Sequence, residues 1–181
     1  MSIHSAIKLC VLILSFYFLL ACNKVESNLP SDDLLQNVFL AKSPDFEEIK
    51  SVVLNNKVYR LALRKGELDM LPENILDKNN KDKILKLLKN NLDIDLVSIK
   101  FKKGSYDSIN EVSFYSFRSG YVGGGQNKGV AYLVNGVDEA LLVNDLDVYR
   151  QERWQKDALV SGKRVYKQLI DNWYLFYEYY D

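Results

Sequence analysis

From residue 97 onward, apolar and polar residues alternate in a way that predicts antiparallel β-strands. The first run places Val97, Ile99 and Phe101 on one face of a strand and polar residues between them. No proline occurs after Pro72, and the later glycines fall between the strand candidates. Because proline is confined to sheet edges and glycine is typical of turns, this distribution predicts a mainly antiparallel sheet with meander connections.

The preceding part of the chain predicts short helices, so the expected fold class is α+β. Ser31 can cap a first helix, and Pro44 can stand in the first turn of a second. Residues 80–91 carry apolar side chains at helical spacing, with lysines elsewhere. A short helical turn is also expected over residues 72–77, after a proline.

Three later segments complete the predicted fold. Asn135-Gly136 separates two apolar runs and predicts a two-residue β-hairpin. A short helix is expected around residues 148–159, and a final strand around residues 173–179. The aromatic side chains of that strand are expected to bury one of its faces, and an aromatic platform for a sugar or a peptide is the alternative.

The first 22 residues differ from the rest of the chain. An apolar run over residues 9–20 follows a single lysine and ends in Leu19-Leu20-Ala21-Cys22. A helical membrane span needs about 20 residues, so this shorter run is typical of an export signal. Its end resembles the lipobox of bacterial lipoproteins, although Leu20 is bulkier than the usual residue at that position. The resemblance implies cleavage before Cys22 and attachment of fatty-acyl chains such as palmitate to its thiol and new amino terminus.

The resemblance also divides the chain and implies where the protein lies. Residues 1–21 would be the signal peptide, 22–32 the lipidated cysteine with a tether, and 33–181 a single α+β domain. One acyl chain binds a membrane only marginally, whereas two or three hold firmly. Aspartate directly after the cysteine retains enteric-type lipoproteins on the inner membrane. Asn23 stands there instead, which implies an outer-membrane anchor and a domain that faces the periplasm.

Removal of the signal peptide would restrict the available chemistry. His4 is the only histidine and Cys10 the only cysteine besides Cys22, so the mature chain would contain neither histidine nor a free thiol. Ser-His-Asp and Cys-His catalysis and zinc sites with those ligands are then excluded. No cofactor or metal is expected. The formal net charge of +0 argues against nucleic acid as a partner.

Catalysis by a carboxylate pair or by a Ser-Lys arrangement remains open. Nothing in the spacing of the carboxylates separates a catalytic pair from surface charge, and no catalytic residue is assigned. The available carboxylates are Glu111, Asp138, Glu139, Asp145, Asp147 and Glu178.

The glycine run at residues 123–125 is tested first as a phosphate-binding loop. A P-loop needs lysine where Val130 stands, and a dinucleotide fingerprint needs glycine where Lys128 stands. The residues that follow also predict a strand rather than the helix that both motifs require. The run is therefore predicted to be a hairpin loop with a polar tip that can bind a partner. The predicted binding loop consists of Gly123, Gly124, Gly125, Gln126, Asn127 and Lys128.

These observations predict a lipid-anchored, non-enzymatic binding or interaction module at the periplasmic face of the membrane. Its acyl chains would bind the membrane, and its partner would be an envelope protein or a toxin. The alternative is a carboxylate-dependent hydrolase of cell-wall glycan. Two carboxyl groups about 5 to 9.5 Å apart in a cleft would favour the hydrolase.

Overall fold

A computed structural model describes residues 29–102, 108–121, 124–156 and 159–180. The predicted signal peptide, Cys22 and residues 23–28 lie outside these ranges. The described helices are α1 (Asp32–Asn55), α2 (Lys78–Lys86) and α3 (Leu146–Gln155). The strands are β1 (Arg60–Arg64), β2 (Glu67–Leu71), β3 (Leu96–Phe101), β4 (Ile109–Tyr121), β5 (Gly124–Leu133), β6 (Arg164–Ile170) and β7 (Trp173–Tyr180).

All seven strands belong to one antiparallel sheet in the order β2-β1-β3-β4-β5-β7-β6. The predicted α+β class is confirmed. The meander holds only for β3, β4 and β5, because each terminal hairpin joins the sheet by one strand and leaves the other at an edge. The helices are not all N-terminal either, since α3 lies between β5 and β6 in the chain.

Helix α1 consists of two helical segments that meet at a kink at Lys42, close to the boundary that the sequence predicted between two helices. Ser31 caps it as predicted and accepts a hydrogen bond from the N–H of Leu34 at 3.2 Å. Lys42 has non-helical dihedrals, shortly before Pro44. A proline inside a helix removes one hydrogen bond and clashes with the preceding turn, which explains the kink. Asp32, which the domain division assigns to the tether and the Ser31 cap assigns to the first turn of the helix, is the first residue of α1 and is buried.

The main core lies between α1 and one face of the sheet, here called the helix face. Phe39 and Phe46 of α1 pack against Trp173, with ring centroids 5.1 and 6.0 Å from its own. Phe46 also packs edge-on against Phe114 at 5.1 Å. The opposite face, here called the second face, carries a smaller cluster that includes Tyr174 and Phe176. Strand β7 is thus buried on both faces, whereas the sequence predicted burial on one.

The hairpin predicted at Asn135-Gly136 does not form, although the turn does. Gly136 has a φ of 73°, which suits glycine. The following segment forms a 3₁₀ turn at Glu139–Leu141 and one isolated bridge between Leu142 and Tyr166. The reason is that β7 occupies the position beside β5 that the second strand of a hairpin would need.

Several predicted elements differ from the structure in extent. Residues 72–77 form no helix. The predicted helix over residues 80–91 exists as α2 followed by a π-helical segment, Leu87–Leu92. The final strand is confirmed, and the helix expected at 148–159 is confirmed with earlier bounds. Within the described ranges, no helix combines the length and apolar character needed to cross a membrane.

Candidate functional site

Two clusters of buried charges lie on opposite faces of the sheet. The second-face cluster consists of Glu111, Ser113, Tyr115, Arg164, Tyr166 and Glu178. The helix-face cluster consists of Asp32, Lys128, Asp147 and Lys167. Burying a charge is costly unless it is paired and hydrogen-bonded, so each cluster must satisfy its own members.

Arg164 is the centre of the second-face cluster. Its Nη1 donates to Glu111 and, at 2.7 Å, to the hydroxyl of Ser113. Its Nη2 donates to Glu178 at 2.5 Å and to the hydroxyl of Tyr115 at 2.9 Å. Arg164 lies on β6, and two strands, β5 and β7, separate β6 from β4, which carries Glu111. The sheet must therefore curve over its second face for one side chain to join these strands.

Gly129 of β5 leaves room for the side chain of Arg164 to extend from β6 to β4. A side chain there would place its Cβ 2.0 Å from the backbone oxygen of Phe114 and 3.1 Å from the ring of Phe176. The guanidinium carbon of Arg164 lies 4.1 Å from the centroid of the Phe176 ring. A cation over an aromatic face is attracted by the ring quadrupole. The small residue thus lets an aromatic ring and the guanidinium group share the centre of this face.

The electrostatics of this cluster keep Arg164 and Glu178 charged. Burial alone would lower the pKa of Arg164, but the negative charge of Glu111, together with Tyr115 and the carboxylate of Glu178, outweighs burial and raises that pKa. Burial alone would raise the pKa of Glu178, but Arg164, with help from Lys100, outweighs burial and lowers it. Burial and the nearby Glu111 raise the pKa of Tyr166, whose hydroxyl donates to Glu111 at 2.8 Å.

Glu111 and Glu178 were both named from the sequence as carboxylates for a catalytic pair, and the structure brings them to the same arginine. A glycosidase acid needs a raised pKa so that it can give up a proton near neutral pH. The pKa of Glu178 is lowered instead. A lowered pKa does not suit Glu178 to the role of the acid, and the contacts of Arg164 with both carboxylates join β4, β6 and β7.

Lys128 is the centre of the helix-face cluster. Its Nζ lies 2.7 Å from Oδ1 of Asp32 and 2.5 Å from Oδ1 of Asp147. Lys167 binds the other carboxylate oxygen of Asp32 at 3.2 Å. Lys128 is 1% exposed and Asp32 is 2% exposed, so this pair is separated from solvent and is screened little by salt.

The same cluster joins the N-termini of α1 and α3. Asp147 of α3 accepts a hydrogen bond from the N–H of Asp32 at 2.8 Å. In return, Asp32 accepts one from the N–H of Leu146, also at 2.8 Å. The first N–H groups of a helix have no partner inside the helix, and the helix dipole favours an anion there. Each helix therefore supplies a carboxylate that caps the other.

Asp32, Asp145 and Asp147 have carboxylate oxygens within 4.8 Å of one another. Oxygen ligands of this kind suit hard divalent cations. The ammonium group of Lys128 already contacts two of the three carboxylates. Asp145 caps α3 by accepting from the N–H of Val148 at 2.8 Å. The geometry thus assigns these aspartates to an internal lysine and to helix capping.

The acid dependence of stability follows from Asp32 and Glu178. Burial alone would raise the pKa of Asp32, but the bonds from Lys128, Leu146 and Lys167 outweigh it and lower that pKa below its ordinary 3.8. The pKa of Glu178 likewise lies below 4.5. The unfolded chain therefore binds protons at a higher pH than the folded chain does, and acid favours unfolding.

We expect the free energy of unfolding to be nearly constant from about pH 7 to about pH 5.5 and to fall steadily below about pH 5. Urea denaturation between pH 3 and pH 7 measures this dependence. Asp32→Asn should make the acid slope shallower, because one of the two groups no longer titrates. A slope that is identical in the variant would show that Asp32 does not contribute.

The structure corrects the predicted binding loop. Gly124, Gly125, Gln126, Asn127 and Lys128 lie in strand β5 and pair with β4. Gly123 lies outside the described residues. Lys128, predicted at an exposed tip, is buried against Asp32. The strands pair as far as Tyr121 and Gly124, so the connection is shorter than the glycine run suggested.

The other sequence candidates are dispersed, and several cluster members were missed. Asp138 caps the 3₁₀ turn and Glu139 is its first residue, and both are exposed. Arg164, Lys167 and Asp32 were not singled out. A signal for Arg164 was present, since Arg164 and Tyr166 share one face of a strand, and Glu178 interrupts an aromatic strand nearby.

A third feature is an open edge of β4. Only the first part of β4, up to Tyr115, pairs with β3. Residues 116–121 continue beyond the start of β3, and a β-bulge at Ser116 marks the change. An open groove of about 690 Å³ runs along this part, here called the β4 edge. Its lining residues are Asp95, Leu96, Tyr115, Ser116, Phe117, Arg118, Ser119 and Asn127.

Comparison with known proteins finds no match among protein-family models, curated proteins or solved structures. The functional proposals for this chain therefore depend on the N-terminal sequence, the two ion clusters and the β4 edge.

Proposed function

We propose that this chain is a lipid-anchored, non-enzymatic binding module on the periplasmic face of a bacterial membrane, with the outer membrane as its location. The observation that carries the binding role is the bridge from Arg164 to both Glu111 and Glu178. The ion pairs with Arg164 occupy both of the carboxylates that lie close together on the second face of the sheet. The β4 edge is an open groove that offers hydrogen-bonding groups rather than free acids.

The anchor is supported by the apolar run and the Leu19-Leu20-Ala21-Cys22 sequence. Helix α1 begins at Asp32, so Cys22 would be joined to the domain by a short tether. A flexible tether of this length has a root-mean-square reach of about 15–20 Å. The domain would therefore stay close to the membrane surface, where its partner must also be accessible.

The anchor is tested by replacing Cys22 with serine and separating membrane and soluble fractions of expressing cells. We expect the wild-type chain in the membrane fraction and most of the variant outside it, because serine lacks the thiol that is acylated. Cys10→Ser is the matched control, since it changes the other cysteine but keeps the lipobox. If Cys22→Ser stays as firmly in the membrane as the control, the anchor proposal is wrong.

The hydrolase alternative has a separate test. Purified chain is incubated with isolated peptidoglycan, and new reducing sugar ends are counted. The binding proposal predicts no release above a heat-denatured control. Release that is lost in Glu178→Gln, with the fold intact by circular dichroism, would instead establish glycan hydrolysis.

A further inference from the structure

The β4 edge presents backbone hydrogen-bonding groups that β3 does not reach. Leu133 donates its N–H to the carbonyl oxygen of Asn172, in the turn before β7, so Leu133 faces β7. The pairing of β5 with β7 continues without a break to Gly125. Because alternate residues of an antiparallel strand face opposite neighbours, Asn127 and Gly125 also face β7. Their partners on β4 are Arg118 and Gly120. The N–H and C=O groups of Arg118 and Gly120 therefore point away from β5, into the groove.

The path of the chain before β3 explains why this edge is open. Asp93 adopts a left-handed conformation with φ 52° at the end of the π-helical segment. Ile94 then donates its N–H back to Leu88, and Asp95 accepts a hydrogen bond from Leu63 of β1. The chain thus rises from the helical layer and enters the sheet only at Leu96. In the described ranges, no residue forms a ladder with residues 116–121 on this side.

We propose that the β4 edge binds an extended segment of a partner polypeptide, which adds to the sheet in line with β3 and antiparallel to β4. This inference rests on the proposed binding function and names its site and the class of partner. Main-chain hydrogen bonds supply affinity in such strand addition, and side-chain pockets supply specificity. At about 3.3 Å per residue, residues 116–121 offer an edge about 20 Å long.

The groove also indicates the character of the partner segment. Leu96, Tyr115 and Phe117 provide an apolar part of the lining, while Ser119 and Asn127 provide polar groups. The charge of Arg118 is already matched by Asp95, with Nη2 and Oδ2 2.8 Å apart. A neutral segment with alternating apolar side chains is therefore complementary, and its affinity should depend only weakly on salt.

The test uses the full-length chain in detergent and a phage-displayed library of random eight-residue peptides. Enriched peptides are synthesised, and their dissociation constants are measured by calorimetry. Arg118→Pro removes the N–H that points into the groove but takes no ladder bond from β5. Arg118→Ala is the matched control, because it loses the same side chain and ion pair but keeps the N–H.

We expect the alanine variant to bind within about threefold of the wild type and the proline variant to bind about tenfold or more weakly. Circular dichroism verifies that both variants are folded. Hydrogen exchange on the wild-type chain provides a readout that needs no variant. Bound peptide should slow exchange of the amides of Arg118 and Gly120 by about tenfold or more.

Three results would overturn the proposal. The first is a library with no enriched peptide, or peptides that bind the folded proline variant as tightly as the alanine variant. The second is protection of the Arg118 and Gly120 amides in the free chain, which would mean that the chain covers its own edge. The third is a dimer disrupted by Arg118→Pro without peptide binding, which would make a second copy the occupant. The two proposals can fail separately. If Cys22→Ser stays in the membrane fraction but the chain still binds the peptides, the anchor proposal is wrong and this inference stands.

Discussion

Replacing Arg164 with methionine is expected to lower the free energy of unfolding by about 4 kcal/mol. Methionine fills much of the space of the arginine stem but leaves the carboxylates of Glu111 and Glu178 without their shared cation. Those residues are 2% and 3% exposed, so water cannot replace the lost bonds. The loss of stability should come from the two buried carboxylate charges that no longer contact Arg164, rather than from poorer packing.

Urea denaturation at pH 7 and at pH 4.5 separates these two causes. The deficit of Arg164→Met should be smaller at pH 4.5, because buried carboxylates that have lost Arg164 take up protons more readily, even though Lys100 still lies 3.4 Å from Glu178. Arg118→Met is the matched control, since Arg118 forms an exposed ion pair with Asp95 and should cost less than about 1 kcal/mol. An equal deficit at both pH values would contradict the electrostatic explanation.

Replacing Lys128 with methionine should lower the free energy of unfolding by about 3 kcal/mol. Asp32 and Asp147 would lose their common cation beside the N-termini of two helices. The cost is expected to be below that of the Arg164 change for two reasons. Lys167 remains bonded to Asp32, and Asp147 is partly exposed and can bind water.

The Lys128 change should be compared with Lys83→Met, which removes an exposed ion pair between Lys83 and Glu48. The control is expected to lose less than about 1 kcal/mol. Combining Lys128→Met with Asp32→Asn should recover part of the loss, because the amide does not carry a buried charge. If the double variant is as unstable as the sum of the two single variants, the ion pair is not what stabilises this region.

The sequence predicted those elements whose signals are local. The cap at Ser31, the helix that includes Ile84, and the strands beginning at Leu96 and Trp173 depend on capping and on hydrophobic periodicity over a few residues. The same reasoning failed at Asn135-Gly136. Gly136 has the positive φ that such a turn needs but Asn135 does not, and the place beside β5 is occupied by a strand that lies much later in the chain.

Sequence patterns over a few residues could not predict the ion clusters either, because their members are far apart in the sequence. Asp32 contacts Lys128, Asp147 and Lys167, which are distant in the sequence and meet only through the order of the strands. Lys128 was interpreted as part of a polar loop because glycines precede it. Periodicity can assign a residue to a strand face, but it cannot identify which distant residue lies across the sheet.

The mutual capping of α1 and α3 also constrains the order in which the molecule can fold. Asp32 is among the first residues of the described chain, yet its partners include Lys167, near the end. Contacts of such large sequence separation require closure of a long loop before they contribute any free energy. A chain emerging amino terminus first can form α1 early, but the start of that helix remains uncapped by Asp147 until α3 has followed. The amino-terminal end of the domain is therefore secured only after β5, α3 and Lys167 of β6 are in place.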